Sequence, residues 1–232
     1  MSGLKRLAGR IGATLTDNPL QFHPTPPEVV RALLTVEARR LAAVLNGGPI
    51  WEPACGDGRL AAELRRAGFR TVESDISAPP SGTGLPLGPG QGSGPRRRAR
   101  DLGGPAIQDF LSGARRAPVV VTNPPFGDDG AAFIRRGAAL ELHYMALLLP
   151  LGFFTAAEKS NRDRLFAALT PARIWPLGFR PDWTGQGNPV PMPLAWFVWD
   201  WTPGLSRQHG RDPERGPRGE PYARLYAPVR RT

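Results

Sequence analysis

The passage between residues 49 and 76 constrains this chain more than any other. A short apolar run, Pro49-Ile50-Trp51, meets Glu52-Pro53-Ala54-Cys55-Gly56-Asp57-Gly58, after which Leu60, Ala61, Ala62 and Leu64 recur at helical spacing. The run FRTVESDI at 69–76 then supplies a second strand. Strand, glycine loop, helix and strand in that order form a βαβ unit, which predicts a parallel sheet with helices packed on it. Gly56 and Gly58 let the backbone approach a ligand closely where the strand turns into the helix. Asp75, roughly twenty residues downstream at the end of the second strand, is placed to accept hydrogen bonds from ribose hydroxyls, with Glu73 the less favoured choice. The loop lacks the third glycine of a dinucleotide fingerprint and has no Gly-Lys-Ser/Thr, so it fits neither a nicotinamide dinucleotide nor a P-loop. A tight βα turn with no ligand would read similarly, and Cys55 reads as a small buried residue rather than a reactive thiol.

The alternation continues on both sides. Between 26 and 46 the apolar positions Val29, Val30, Leu33, Leu34, Val36, Leu41 and Val44 recur at helical spacing, with Arg31, Glu37, Arg39 and Arg40 between them. This predicts an opening helix with Thr25 as N-cap and prolines in its first turn. Strands are expected at 118–122, 144–150, around Ile174 and at 194–201, and helices at 129–142 and 156–169. The stretch PPSGTGLPLGPGQGSGPRRRAR at 79–100 is too rich in Gly, Pro and Ser to bury apolar surface and reads as a flexible surface insertion. The expected organisation is a basic N-terminal segment at 1–20, one catalytic-type domain at 21–202, and a basic, mobile tail at 203–232.

Composition narrows the partners. With 232 residues and a formal charge of +10, and a pI near 11.1, the chain favours polyanions such as nucleic acid, although an arginine-rich, Gly- and Pro-rich bias also follows from a GC-rich genome. One cysteine excludes an internal disulfide, and His23, His143 and His209 make no zinc spacing with it, so no metal is expected. No signal peptide or bilayer-length apolar stretch is evident, which predicts no membrane association and a cytoplasmic location.

The second chemical signal is Asn123-Pro124-Pro125-Phe126, directly after the apolar run Val119-Val120-Val121-Thr122. Loops at the carboxyl ends of parallel strands face the ligand crevice. There the prolines hold a polar side chain and an aromatic ring rigidly. The Asn123 side-chain oxygen and the Pro124 carbonyl suit the two N–H bonds of a ring-conjugated amine, with Phe126 stacked on its ring. An Asn-capped Pro-Pro turn is the bland alternative.

Together these residues resemble the amino-directed, Rossmann-like S-adenosylmethionine methyltransferases, whose acceptor signature is (Asp/Asn/Ser)-Pro-Pro-(Tyr/Phe/Trp), and compact phage and mobile-element DNA adenine-N6 members in particular. The resemblance runs from about Phe22 to Trp201. It implies a seven-stranded, mostly parallel sheet with helices on both faces and a C-terminal antiparallel hairpin. It places Phe22 and Thr25 near the methionine end of the cofactor, and Glu52, Pro53, Cys55, Gly56 and Gly58 in the cofactor loop. Asp75 falls at the ribose, Asp109 at the exocyclic amine of the cofactor adenine and Phe110 against its ring. Asn123, Pro124, Pro125 and Phe126 become the catalytic signature.

Bland alternatives stand beside these roles: a hydrophobic staple and N-cap for Phe22 and Thr25, a turn for Asp109, the core for Phe110. Sequence-specific DNA members of that family usually carry a separate target-recognition region; beyond the last expected strand only the short basic tail is read here, which predicts low site specificity. Within the loop 178–192, Arg180 and Trp183 are candidates to clamp a flipped base, although a long hairpin connection reads equally well. The resemblance implies methyl transfer from S-adenosylmethionine to an exocyclic amine, with adenine N6 in DNA preferred. RNA adenine, cytosine N4 and protein glutamine are alternative acceptors, and a catalytically silent nucleic-acid-binding protein is the alternative of another class.

Overall fold

The computed structural model describes residues 24–77, 105–155, 162–183 and 191–202. Phe22, the insertion at 79–100, the segments at 1–20 and 203–232, and the first part of the helix expected at 156–169 lie outside the described residues.

Helix α1 (Pro27–Leu45) opens the described chain. Strand β1 (Ile50–Glu52), helix α2 (Arg59–Arg66) and strand β2 (Thr71–Asp75) form the expected βαβ unit. They are followed by β3 (Ala106–Ile107), β4 (Val119–Thr122), α3 (Asp129–Ala139), β5 (Tyr144–Pro150), α4 (Gly152–Thr155), α5 (Arg162–Ala168), β6 (Arg173–Pro176) and β7 (Leu194–Asp200). The two-residue β3 was not foreseen, because so short an edge strand carries no periodicity. The seven strands lie in the order β3-β2-β1-β4-β5-β7-β6. Pairing is parallel from β3 through β5. β7 enters antiparallel between β5 and β6, so that β6 and β7 form the expected antiparallel hairpin.

Strand alternation sorts the core onto two faces. Val119 and Val121, Tyr144, Ala146 and Leu148, and Leu194, Trp196 and Val198 join α1 and α2 residues such as Val30, Leu33, Leu60 and Leu64 on one face. Their sequence neighbours Val120, Met145, Leu147, Leu149, Phe197 and Trp199 join Phe133 and Ile134 of α3 and Leu165 and Phe166 of α5 on the other. Burial on both faces explains why β4, β5 and β7 read as unbroken apolar runs. Gly137 in α3 meets a closely packed sheet: a Cβ there would stand 2.6 Å from Met145 Sδ.

Two expectations for α1 are corrected. Its N-cap is Pro26, with no side-chain cap bond, so Thr25 is not the cap. Glu37, read as one of the polar positions, is 1% exposed, while Val36 on the supposed apolar stripe is 37% exposed. Glu37 accepts hydrogen bonds from Arg173 Nε at 2.6 Å and Nη2 at 3.0 Å, Trp175 Nε1 at 2.7 Å and Tyr144 Oη at 3.1 Å. Arg173 also bridges to Asp200, which accepts two bonds of 2.7 Å from Arg40 and one from Thr202 Oγ1. This cluster fastens α1 to the start of β5, the start of β6 and the end of β7. Burial alone would depress the Arg173 value, but the hydrogen bond to Glu37 and its charge raise it. The Tyr144 hydroxyl is pushed up by burial and by Glu37.

Removing one member of a buried charge cluster strands its partners. Glu37→Ala should lower unfolding free energy by about 3–5 kcal/mol in chemical denaturation. The corresponding effect of acid centres on Asp200. Burial raises its value, but Arg40, Thr202 and Arg173 outweigh that and lower it to about 2. A depressed carboxyl stabilises above the unfolded value and loses that contribution as pH falls toward the folded one. Thermal unfolding between about pH 4 and pH 2 should therefore be less steeply pH-dependent in Asp200→Asn than in the wild type.

Candidate active site

Strands β1 and β4 are neighbours, yet the chain leaves β1 toward β2 on one side and β4 toward β5 on the other. That reversal opens a crevice at their carboxyl ends. Both motif loops emerge there.

After β1 the chain passes through Gly56 (φ 51°) and Gly58 (φ 78°), left-handed conformations that favour glycine. A Cβ on Gly58 would also stand 3.2 Å from Glu73 Oε2. The Gly56 N–H donates to Asp75 Oδ2 at 2.8 Å, and Ser77 donates its N–H and hydroxyl to Asp75 Oδ1. Asp75 is thus brought against the glycine loop. Glu73 instead pairs with Arg65 on α2. Cys55 is buried, and its thiol is pushed up by burial and by the charges of Glu52, Asp75 and Glu73, which keeps it a neutral thiol. Glu52 is 1% exposed, and its Oε2 has no hydrogen-bond partner among the described residues. Burial and then the neighbouring Glu73 raise its carboxyl well above the ordinary range, offset only in part by the Ala61 N–H and by Arg65.

After β4, Asn123 donates its Nδ2–H to Thr25 Oγ1 at 3.2 Å, across 98 residues of sequence. Thr25 is 6% exposed. Phe126 lies edge-on to Trp183, with ring centroids 6.4 Å apart, and both pack against the face of the core that α1 covers. Pro124 is buried and Pro125 half-buried between Asn123 and Phe126, and Arg180 is exposed. The structure therefore gathers Thr25, Asn123, Phe126 and Trp183 from three separate segments.

The third expected element sits differently. Phe110 is 2% exposed, stacked on Phe133 at 4.6 Å and edge-on to Trp51 at 5.2 Å, within the core beneath the sheet. Asp109 closes a local turn, accepting from the Leu111 N–H and the Ser112 hydroxyl, each at 2.9 Å. Two supporting residues went unread in the sequence. Ser74 accepts from Trp51 Nε1 at 2.8 Å inside the core, pinning β1 to β2. Thr122 is fully buried, with an Oγ1 that has no partner among the described residues. The unpartnered oxygen of Glu52 has no local signature either. A polar residue closing an apolar run, as Thr122 and Glu52 both do, was the available cue.

Among the described residues no group of His, Cys, Asp and Glu is placed to hold a metal ion, and no helix is long and apolar enough to cross a membrane. No protein-family model matches the sequence, and no curated protein matches it. Two solved structures are similar in fold. A Listeria monocytogenes protein assigned to the class I S-adenosylmethionine-dependent methyltransferases aligns with a TM-score of 0.51 and 16% identity over 95% of this chain and 71% of its own. The methyltransferase subunit of a type I restriction-modification system from Streptococcus thermophilus aligns with a TM-score of 0.48 and 14% identity over 77% of this chain and 45% of its own. The second likeness is too loose to carry weight. The first settles the architecture. The fold is Rossmann-like, a seven-stranded, mostly parallel sheet closed by an antiparallel hairpin, as in that neighbour.

A raised carboxyl makes a fold less stable as pH climbs from the unfolded value through the folded one, because the unfolded chain ionises first. Glu52→Gln should therefore raise the melting temperature of the ligand-free protein at pH 7–8, with a smaller gain near pH 4, as measured by calorimetry across that range.

Proposed function

We propose that this protein transfers the methyl group of S-adenosylmethionine to an exocyclic amino nitrogen, with adenine N6 in DNA as the favoured acceptor. The observation that carries the reading is the meeting of Asn123, Thr25, Phe126 and Trp183 at the crevice beside the glycine loop and Asp75. The charge of +10 favours a nucleic-acid acceptor over a protein one.

The residues present fit the cofactor. Glu52 presents a buried carboxylate oxygen lacking a partner among the described residues, a position that a ligand ammonium would satisfy. Gly56 and Gly58 leave their loop without side chains, and Asp75 retains acceptor capacity toward ribose hydroxyls beside its bonds to Gly56 and Ser77. Ile76, next to Asp75 and 62% exposed, offers an apolar surface for a purine.

When bound, S-adenosylmethionine supplies an electrophilic methyl on a sulfonium, whose S–C bond breaks as the amine lone pair forms the N–C bond. Asn123 and the Pro124 carbonyl accept the two N–H bonds of the amine, drawing its lone pair toward the methyl. Phe126 and Trp183 flank the base that carries it. Rigid placement by Pro124 and Pro125 supplies orientation, and the surplus proton leaves to solvent. Catalysis in this scheme is positioning and electrostatics, with no covalent nucleophile.

The deciding experiment follows labelled methyl from S-adenosylmethionine into unmethylated DNA, RNA and a protein extract, with nucleoside analysis of the products. The expected result is N6-methyladenine from DNA, at least 100-fold reduced in Asn123→Ala (an order of magnitude set by lost orientation). Asp75→Ala should weaken cofactor binding by about tenfold or more in calorimetric titration. Label in cytosine N4, RNA or glutamine would reassign the acceptor. A protein that binds DNA equally well with Asn123→Ala and transfers no methyl would instead be a silent binder.

A further inference from the structure

We infer that Thr25 is a positioning residue, whose hydroxyl accepts the Asn123 Nδ2–H, fixes the rotation of the Asn123 amide, and so aims its oxygen at the acceptor amine. This rests on the proposed methyl-transfer function and adds to it a role for Thr25 beyond cofactor contact.

The argument begins with what the prolines leave undone. Pro124 and Pro125 follow Asn123, and Pro24, Pro26 and Pro27 surround Thr25, so both backbones are stiff. Stiff backbone does not fix the last torsion of an asparagine, which has a broad, roughly two-fold profile. Turning the amide over exchanges a carbonyl oxygen for an NH2 group, an acceptor for a donor. Only one of these orientations receives an amine hydrogen, and the other points N–H against N–H. The bond to Thr25 at 3.2 Å constrains that rotation, between a buried hydroxyl and a partly buried amide shielded from competing water.

Thr25 is itself held from behind. Trp196 on β7 is fully buried and donates its Nε1–H to the Val29 carbonyl at 3.0 Å in the first turn of α1. Val29 and Val30 are fully buried against the same core face. The hydroxyl therefore sits on a helix end that the sheet anchors. A hydroxyl can both donate and accept. The Asn123 orientation seen here prevails once the Thr25 proton is taken by an acceptor-only group, such as the carboxylate of an amino-acid-bearing cofactor. Cofactor binding and correct presentation of Asn123 would then be coupled through one side chain.

The test uses the full-length protein with unmethylated duplex DNA as acceptor, or whichever acceptor the wild type labels. It measures the single-turnover rate at saturating S-adenosylmethionine, the cofactor Kd and the melting temperature. Thr25→Val is expected to lower the rate at saturation about 10- to 100-fold. Thr25→Ser, which keeps the hydroxyl, is expected to restore it to within a few-fold. In an Asn123→Ser background, which has no amide to orient, Thr25→Val should add no further loss. Thr25→Ala provides a second hydroxyl-free variant should the valine fold poorly. A hydroxyl-free variant that weakens cofactor binding yet reaches the wild-type rate at saturation overturns the inference, leaving Thr25 as a cofactor contact. So does a serine variant as slow as the valine, or an undiminished loss in the Asn123→Ser background. Each of these three results leaves the enzyme reading intact. A wild type that methylates no acceptor overturns both.

Discussion

Everything at the crevice depends on two short central strands, Ile50–Glu52 and Val119–Thr122, that lie side by side and must send the chain in opposite directions. Both are covered on each face by apolar side chains, so neither shifts without disturbing the core. Their carboxyl ends are therefore fixed reference points. The backbone leaving β1 has to turn at once into α2, which glycines in left-handed conformations accomplish. The backbone leaving β4 is stiffened by two prolines. One reversal of strand order thus produces a flexible-residue cradle and a rigid platform side by side.

Helix α1 completes this arrangement by reaching both ends of the sheet's central strands. From its middle onward Glu37 and Arg40 enter a charge cluster with Tyr144 and Asp200, at the strand ends opposite the crevice, and with Arg173 and Trp175 of β6. Just before its first turn, Thr25 meets Asn123. The cluster is costly to bury and is compensated only because nearly every polar group in it is paired. Its specificity lies in register: a slide of α1 by one turn would strand Glu37 in the apolar core and withdraw Thr25 from the crevice together. The stability of one end of the sheet and the geometry of the other are thereby coupled.

In the proposed chemistry, the two carboxylates near the glycine loop have different electrostatic tasks. Asp75 is anchored by N–H and O–H donors from Gly56 and Ser77, and in that scheme it accepts from hydroxyl groups. Glu52 is buried beside Glu73, where ionisation is disfavoured until a cation arrives. In that scheme a cationic ligand would relieve the penalty.

The sequence by itself determined the alternation of strands and helices, the place of the glycine loop, the acid that follows it and the Asn-Pro-Pro-Phe platform. Each is encoded locally, in period-2 or period-3.6 burial and in residues with restricted or unusual backbone preferences, so a single chain displays them. Tertiary structure alone decided that Glu37 is buried although it sits among charged neighbours, that Thr25 accepts a hydrogen bond from Asn123 rather than capping its helix, that Trp183 faces Phe126, and that Phe110 belongs to the core. Those outcomes depend on which strands become neighbours and how a helix lies across them. A contact between residues 98 apart leaves no mark on local periodicity, and only closure of the sheet creates it.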